Sequence, residues 1–425
     1  MKRLWLTKLG RLAALIAFAS TALVVTDGGI ATVPAGADPA FTSSYVGVGS
    51  DTIQDVMNAL GGASPYPGGT ATSTYYLPIH SDAGSGSRSL SSFDAIPQGG
   101  SASAPGCITT KLGGPSFDRP NGSGNGIAAL SHAVDPNPAN NTWQASTASC
   151  TGALVNVAGQ IDFARSSRGP NNTTTNALTY IPFTRDGVSY AYIKHGTQDI
   201  SQLTTAQLTT LYNGGGGTIN VGGDTVRACL AQTGSGTVSF FLGAIGVTVA
   251  NAQTAATASG CFVAPGLEEN GADAFLTRAN AVSLTDDFVI MFSAGSWIAQ
   301  ANGVALDRSS AGRAGGVDLG NPDSIGGAGA KPYTGAPPTE AANPTYYNFT
   351  SGGTIGTYGR NLFVVVPTTK IGITGDAGLK SLFVGGASAI CAAGAQTRID
   401  TFGFLDLNGL VGTCGATTLT GALYS

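Results

Sequence analysis

The chain has 425 residues, of which 42% are hydrophobic and only 10% charged, with 63 glycines and a formal net charge of −4. That apolar fraction excludes a disordered chain, and the lack of a basic run excludes nucleic acid or an anionic membrane surface as partner. Three histidines and six cysteines with no C-x-x-C exclude a zinc site of familiar spacing.

The first 37 residues stand apart. Lys2, Arg3, Lys8 and Arg11 precede the apolar run "LAALIAFASTALVV" (12–25), and "AGA" (35–37) supplies small residues for cleavage. This pattern predicts a signal peptide and a secreted mature chain starting at Asp38. No cysteine follows the run to carry a lipid anchor, and nothing later is long and apolar enough for a transmembrane segment. Four of the 20 basic and one of the 24 acidic residues lie in this segment, which leaves 16 and 23, a net −7. The remaining length suits two lobes of ordinary domain size.

Strand and helix patterns then alternate, the signature of α/β architecture. "YVGVG" (45–49) reads as a strand. Ile53, Val56, Met57 and Leu60 follow at helical spacing in "SDTIQDVMNALGG", ended by glycines. "RPNGSGNGIAAL" places Gly122, Ser123, Gly124 and Gly126 at a second helix start. "GQIDFARSSRGP" (159–170) closes an apolar stretch with Ser166 and Ser167 between Arg165 and Arg168. "YIPFTRDGVSYAYI" (180–193) reads as a long extended run, and Thr204 with Gln207 has capping-box spacing ahead of Leu208, Leu211 and Tyr212. In "LAQTGSGTVSFFLGAIG" (230–246), Val238, Phe241, Leu242 and Ile245 form a buried stripe, so Gly234, Ser235, Gly236 and Thr237 occupy the helix start. Residues 312–357 are rich in Gly, Pro and Asn with little periodicity and read as a long loop. "NLFVVVPT" (361–368) is a second extended run.

Helix starts leave backbone N–H groups unpaired within the helix and carry the positive end of the dipole. Each such loop alone reads first as an ordinary Ser or Thr cap. Several converging loops would instead surround a small oxyanion with N–H and hydroxyl donors.

The ordered series "GSDTIQD", "NGSGNGI", "GQIDFARSSR", "IPFTRDGVSYAY", "DISQLTTAQLTTLYNG", "TGSGTVSFF" resembles the phosphate-binding proteins of ABC uptake systems, which are type II periplasmic binding proteins. The likeness runs over about 45–246, and "GRNLFVVVP" resembles the returning hinge strand. It implies a two-lobed α/β fold of the periplasmic-binding-protein type, with the ligand cleft between the lobes and two crossing segments. Lobe 1 would comprise 38–185 and 360–425, and lobe 2 would comprise 186–359, including the loop at about 312–357. It also implies a monomer serving a membrane permease. Position by position, Thr52 and Ile53 (through its backbone N–H) would be ligands of the first loop, Ser123 of the second, and Gly234, Ser235, Gly236 and Thr237 of the third, facing Ser166 and Ser167. Two places depart from the family pattern. The Asp that ends "DFGASD" is Ser167 here, and the Arg before "GSGT" is Ala231. Arg165 or Arg168 is the expected replacement cation, with Arg88 a further candidate.

Six cysteines (Cys107, Cys150, Cys229, Cys261, Cys391, Cys414) behind a signal peptide read as disulfides. Pairing neighbours closes the shortest loops, while the sequence leaves the scheme open. The first functional reading is a secreted, non-catalytic binding protein for phosphate or a similar oxyanion, with no cofactor and no metal. A hydrolase using one of the serines would need a base within reach, and no G-x-S-x-G elbow occurs. A cell-envelope structural or adhesion protein that keeps the fold without binding an anion explains the two departures. Asp286–Asp287 and Glu268–Glu269 read as exposed acidic pairs. Trp297 reads as core, with "SAGS" (293–296) before it a candidate lining of the cleft, and Tyr75–Tyr76 and Tyr346–Tyr347 read as packing or loop aromatics.

Overall fold

The computed structural model describes residues 38–39, 44–62, 77–82, 87–97, 105–145, 150, 152–347, 357–407 and 414–425. The signal-peptide segment and Tyr75–Tyr76 lie outside the described residues.

The fold is α/β. Ten strands make one mixed sheet: β1 (Tyr45–Gly49), β2 (Leu90–Ser92), β3 (Phe163–Ser166), β4 (Leu178–Ile193), β5 (Thr218–Val221), β6 (Asp224–Ala228), β7 (Asp287–Ser293), β8 (Asp318–Leu319), β9 (Gly359–Pro367) and β10 (Thr420–Gly421). They run in the order β2-β1-β3-β9-β4-β7-β6-β5, with β8 and β10 also pairing to β4. β1 lies parallel to β2 and β3, while β9 is antiparallel to both β3 and β4.

The two extended runs of the sequence are β4 and β9, whose Val, Ile, Phe and Tyr suit a pleated, doubly covered surface. Nearly every residue of both is buried. They pair from Gly187–Gly359 to Leu178–Pro367, with a register shift between Leu362 and Phe363 opposite Pro182 and Thr184. A proline within a central strand is tolerated at such an irregularity, where the ladder already lacks a bond.

The apolar interior divides along these strands. One cluster, with Val188, Tyr190, Phe241, Met291, Trp297 and Tyr358, has all its fully buried members within residues 188–358. Two others draw on both chain ends, one around Ile53, Phe163, Leu382 and Ile399 and one around Val48, Ile127, Tyr180 and Val365. We call the former region the middle half and the latter the outer half.

Helices α1 (Gln54–Leu60) and α2 (Gly122–Val134) follow outer strands. Helices α3 (Thr205–Asn213), α4 (Gly236–Ala244), α5 (Val249–Ala258), α6 (Ala272–Val282) and α7 (Ala294–Ala301) cover the middle half, and α8 (Ala377–Phe383) and α9 (Ala393–Thr401) return to the outer half. The Thr204–Gln207 capping box forms at α3. Among the described residues no single helix is long and apolar enough to cross a membrane.

The described part of the segment 312–357, residues 312–347, is more structured than its composition predicts. It holds β8, a two-stranded hairpin (Tyr333–Thr334 with Ala341–Ala342) and a helical turn at Pro344–Tyr347. Side chains supply the order that periodicity does not. Tyr333 Oη donates to Asp318 at 2.7 Å, and Asn321 Nδ2 donates to the carbonyls of Ile325 and Ala330. Tyr346 and Tyr347 are fully buried and donate to the carbonyls of Val188 and Gly403. The cysteines pair as neighbours, Cys107–Cys150, Cys229–Cys261 and Cys391–Cys414, with Cα–Cα distances of 5.0, 4.8 and 5.8 Å that suit a disulfide.

Candidate functional site

Three helix starts and one strand end meet where the halves join. Thr52 precedes α1, Ser123 lies in the first turn of α2, Gly236 and Thr237 open α4, and Ser167 follows β3. Thr52 Oγ1 and Thr237 Oγ1 are 3.1 Å apart, and Ser123 Oγ lies 3.0 Å from Ser167 Oγ and accepts from Ser167 N at 2.9 Å. Gly124 N donates to Gly234 O at 3.1 Å, which joins the second loop to the third. Gly122 has φ +80°, and a Cβ there would strike Gln232 and Gly234. A Cβ on Gly236 would overlap Ser123 Oγ and Ser167 Oγ, so glycine is required for this approach. Ser123, Ser167 and Thr237 have no exposed surface.

The opening of α4 is also a true cap. Ser235 is its N-cap, accepting from Thr237 N at 3.0 Å and Val238 N at 3.2 Å while its hydroxyl donates to Glu269. Ile53 buries its side chain in the outer core at the start of α1. Ser166 turns inward on its own loop, donating to Arg168 O at 2.7 Å.

The expected cations are elsewhere. Arg165 is fully buried and donates to the carbonyls of Ser50 (3.0 Å), Gly49 (3.1 Å) and Gly47 (3.4 Å) and to Ser92 Oγ (2.8 Å). Its guanidinium thus closes off the end of β1, and burial pushes its pKa down to about 10, opposed by Asp94 and Asp51. Arg168 donates to Gly169 O and to the carbonyl of Ser425, and burial lowers it too. Arg88 lies over the Tyr45 ring, 4.0 Å from its centroid.

The cation at the meeting point is Arg360, on β9. Its Nη2 donates to Thr237 Oγ1 at 2.8 Å and its Nη1 to Ser167 O at 2.8 Å. Nη2 and Nε also bind Asp186 Oδ2 on β4, at 2.7 and 3.1 Å. Asp186 Oδ1 accepts from Ser293 Oγ and Gly295 N, both at 3.1 Å. Burial raises the Asp186 pKa, and Arg360 pulls the other way. The "SAGS" turn therefore does line the junction, and Ser296 Oγ reaches Thr52 O at 3.3 Å. Arg360 and Asp186 escape a reading of local motifs because 174 positions separate them. The available signal is charge in or beside each extended run, Arg185–Asp186 within the first and Arg360 just ahead of the second, which demands buried partners.

The reading of Glu268–Glu269 as exposed is overturned, as is that of Asp287. Glu269 and Asp287 have no exposed surface. Asp287 Oδ1 accepts from the backbone N–H groups of His195 and Gly196. Glu268 accepts from Asn121 Nδ2 at 2.9 Å, and Glu269 from Ser235. Both lie beside Asp51, and one carboxylate oxygen from each of the three falls within 4.8 Å of the others. Burial raises all three, Glu268 to about 8, and the neighbouring carboxylates raise Glu268 and Glu269 further. A cavity of about 510 Å³ opens against Asp51, Glu268, Asn270 and Arg308, with apolar walls including Ile96 and Leu267.

The sequence matches no family model and no curated protein. Solved structures align over most of the chain at low identity. A putative phosphate ABC transporter substrate-binding protein with bound phosphate, from Clostridium perfringens, is 11% identical, with a TM-score of 0.42 over 86% of this chain and 99% of that one. A possible phosphate-binding protein from Planctomyces limnophilus is 12% identical, with a TM-score of 0.34 over 78% and 84%. A high-affinity periplasmic phosphate-binding protein (PfluDING) bound with phosphate is 17% identical, with a TM-score of 0.38 over 85% and 90%.

Proposed function

We propose that the chain is an exported, non-catalytic binding protein for a small oxyanion, phosphate first, with its halves divided near 185/186 and 359/360. The observation that carries this reading is the meeting of Thr52, Ser123, Ser167, Gly236, Thr237 and Arg360 at one junction, from five separate chain segments. Hydroxyls at helix starts with a guanidinium beside them are the donors a tetrahedral anion takes. Because these groups are buried, binding requires the halves to part about β4 and β9, and the anion then replaces the hydroxyl–hydroxyl contacts. Export is supported by the charged and apolar start of the sequence and by three disulfides, which persist in oxidising compartments. A permease partner rests on the sequence resemblance alone.

One observation favours a second reading. Thr52, Ser123, Ser167, Thr237 and Arg360 already hold protein partners, which suits a fixed joint in a cell-envelope structural protein. A thermal-shift titration with phosphate, sulfate, phosphonates and nucleotides separates the two. Binding gives a saturable rise, about 2.7 kcal/mol at a hundred times the dissociation constant. Ser123→Ala and Thr237→Val should each reduce the apparent affinity. Silence across all the anions rejects the binding reading and leaves the joint.

A further inference from the structure

Asp51 ends the loop after β1 in the outer half, and Glu268 and Glu269 lie between α5 and α6 in the middle half. We propose that these three carboxylates form a Ca²⁺ site that ties the two halves together beside the hydroxyl junction.

The spacing fits the ion. Oxygens held 2.3–2.6 Å from a common Ca²⁺ lie at most about 5 Å apart, and one oxygen from each carboxylate falls within 4.8 Å of the others. Asp51 Oδ1 and Oδ2, Glu268 Oε2 and Glu269 Oε2 are buried and accept from no N–H or hydroxyl group, Asp51 and Glu269 pairing carboxyl to carboxyl. Independently of the acids, two neighbouring buried amides have unpartnered oxygens, Asn121 Oδ1 and Asn270 Oδ1. Asn121 is tied to Glu268 through its Nδ2, and Asn270 lines the cavity together with Asp51 and Glu268. Both amides are more than nine-tenths buried. The three carboxylates, with the Asn121 and Asn270 amides beside them, supply hard oxygens of the kind Ca²⁺ takes six to eight at a time. Mg²⁺ demands a tighter octahedron and keeps its waters, so it fits this protein-supplied set less well.

Arg308 lines the same cavity and offsets part of the charge that the three carboxylates carry once a cation displaces their protons. The roughly 510 Å³ cavity gives an ion a route from solvent to Asp51 and Glu268.

Titration of CaCl₂ and MgCl₂ into chelator-treated, full-length folded protein, by calorimetry and by thermal unfolding, tests the site. The expected result is one Ca²⁺ per chain, a saturable rise in Tm reversed by chelator, and weaker binding of Mg²⁺. Asp51→Asn and Glu269→Gln should each weaken Ca²⁺ at least about tenfold. The wild-type titration decides the matter even if a variant misfolds. No heat and no shift at millimolar Ca²⁺ overturns the proposal, as does a shift undiminished in a folded Asp51→Asn. A response to a diamine such as putrescine with none to Ca²⁺ overturns it as well.

Discussion

Two buried polar clusters meet at the start of α1, and adjacent residues belong to each. Thr52 joins the hydroxyl and arginine cluster, while Asp51 joins the carboxylates. Both lie between the halves, and both draw residues from each. They differ in satisfaction. Around Thr52, Arg360 binds Asp186, Thr237 and Ser167, and both Asp186 oxygens are occupied. Around Asp51, four carboxylate oxygens and two amide oxygens accept from no N–H or hydroxyl donor, and Asp51 pairs with Glu269 carboxyl to carboxyl. An unpartnered buried polar atom incurs its desolvation cost with no return, so clustered acids of this kind call for protons or a cation between them. The first cluster can hold the halves as it stands. The second is arranged for a cation.

The sharpest way to break this comparison is at Arg360. Removing one partner of a buried ion pair leaves the other charge uncompensated, so Arg360→Met should cost about 3–5 kcal/mol in urea unfolding. Adding Asp186→Asn removes that charge and keeps a carbonyl for Ser293 and Gly295, and should recover more than half of the loss. A cost below about 1 kcal/mol for Arg360→Met would mean that the pair does not hold the halves.

Asp94 gives an intermediate case. It is buried, and its Oδ1 accepts from Asn58 Nδ2 at 2.6 Å. Burial, reinforced by Asp55, pushes its pKa from the ordinary 3.8 to about 6. The native state then holds more protons than the unfolded chain between these values, so stability falls as pH rises through that window. The cost is fully present above pH 6 and fades as pH falls toward 3.8. Asp94→Asn should raise stability above pH 6 by up to about 3 kcal/mol and flatten this part of the profile. An unchanged pH profile in the variant would remove Asp94 from the comparison.

Much of the fold was legible because it is written locally. The strand character of β4 and β9, the Thr204–Gln207 box and the helix starts at Thr52, Ser123 and Ser235 all follow from residues close in sequence, whereas the sequence leaves the pairing of the cysteines open, and it proves to close the shortest loops. The two clusters are not local. Arg360 meets Asp186 only through the register of β9 on β4, and Asp51 meets Glu268 and Glu269 only when the halves close. Arg165, which sits beside the serines in sequence, misled because its strand turns it toward the carbonyls of β1. The Gly-rich residues 312–347 misled for a related reason: their order comes from single polar anchors such as Asn321 and Asp318, which leave no periodic trace.

The smallest predicted effect joins the two regions. Ser235 is the N-cap of α4 on the hydroxyl side and a donor to Glu269 on the carboxylate side. Ser235→Ala loses the cap, worth about 1 kcal/mol, and removes the hydroxyl donor from Glu269. Asp51→Asn replaces a carboxylate oxygen beside Glu269 with an amide that can donate, which offers Glu269 a substitute. If the clusters are independent, the two substitutions add. If Glu269 links them, Ser235→Ala should cost less in the Asp51→Asn background, with a coupling of at least about 0.5 kcal/mol, the lower end for residues that share a network. The double-mutant cycle, run by chemical denaturation with chelator present, measures that number directly. Additivity within error would show that the cap and the carboxylate cluster are neighbours only, and that a cation at Asp51 has no route through Ser235 to the junction.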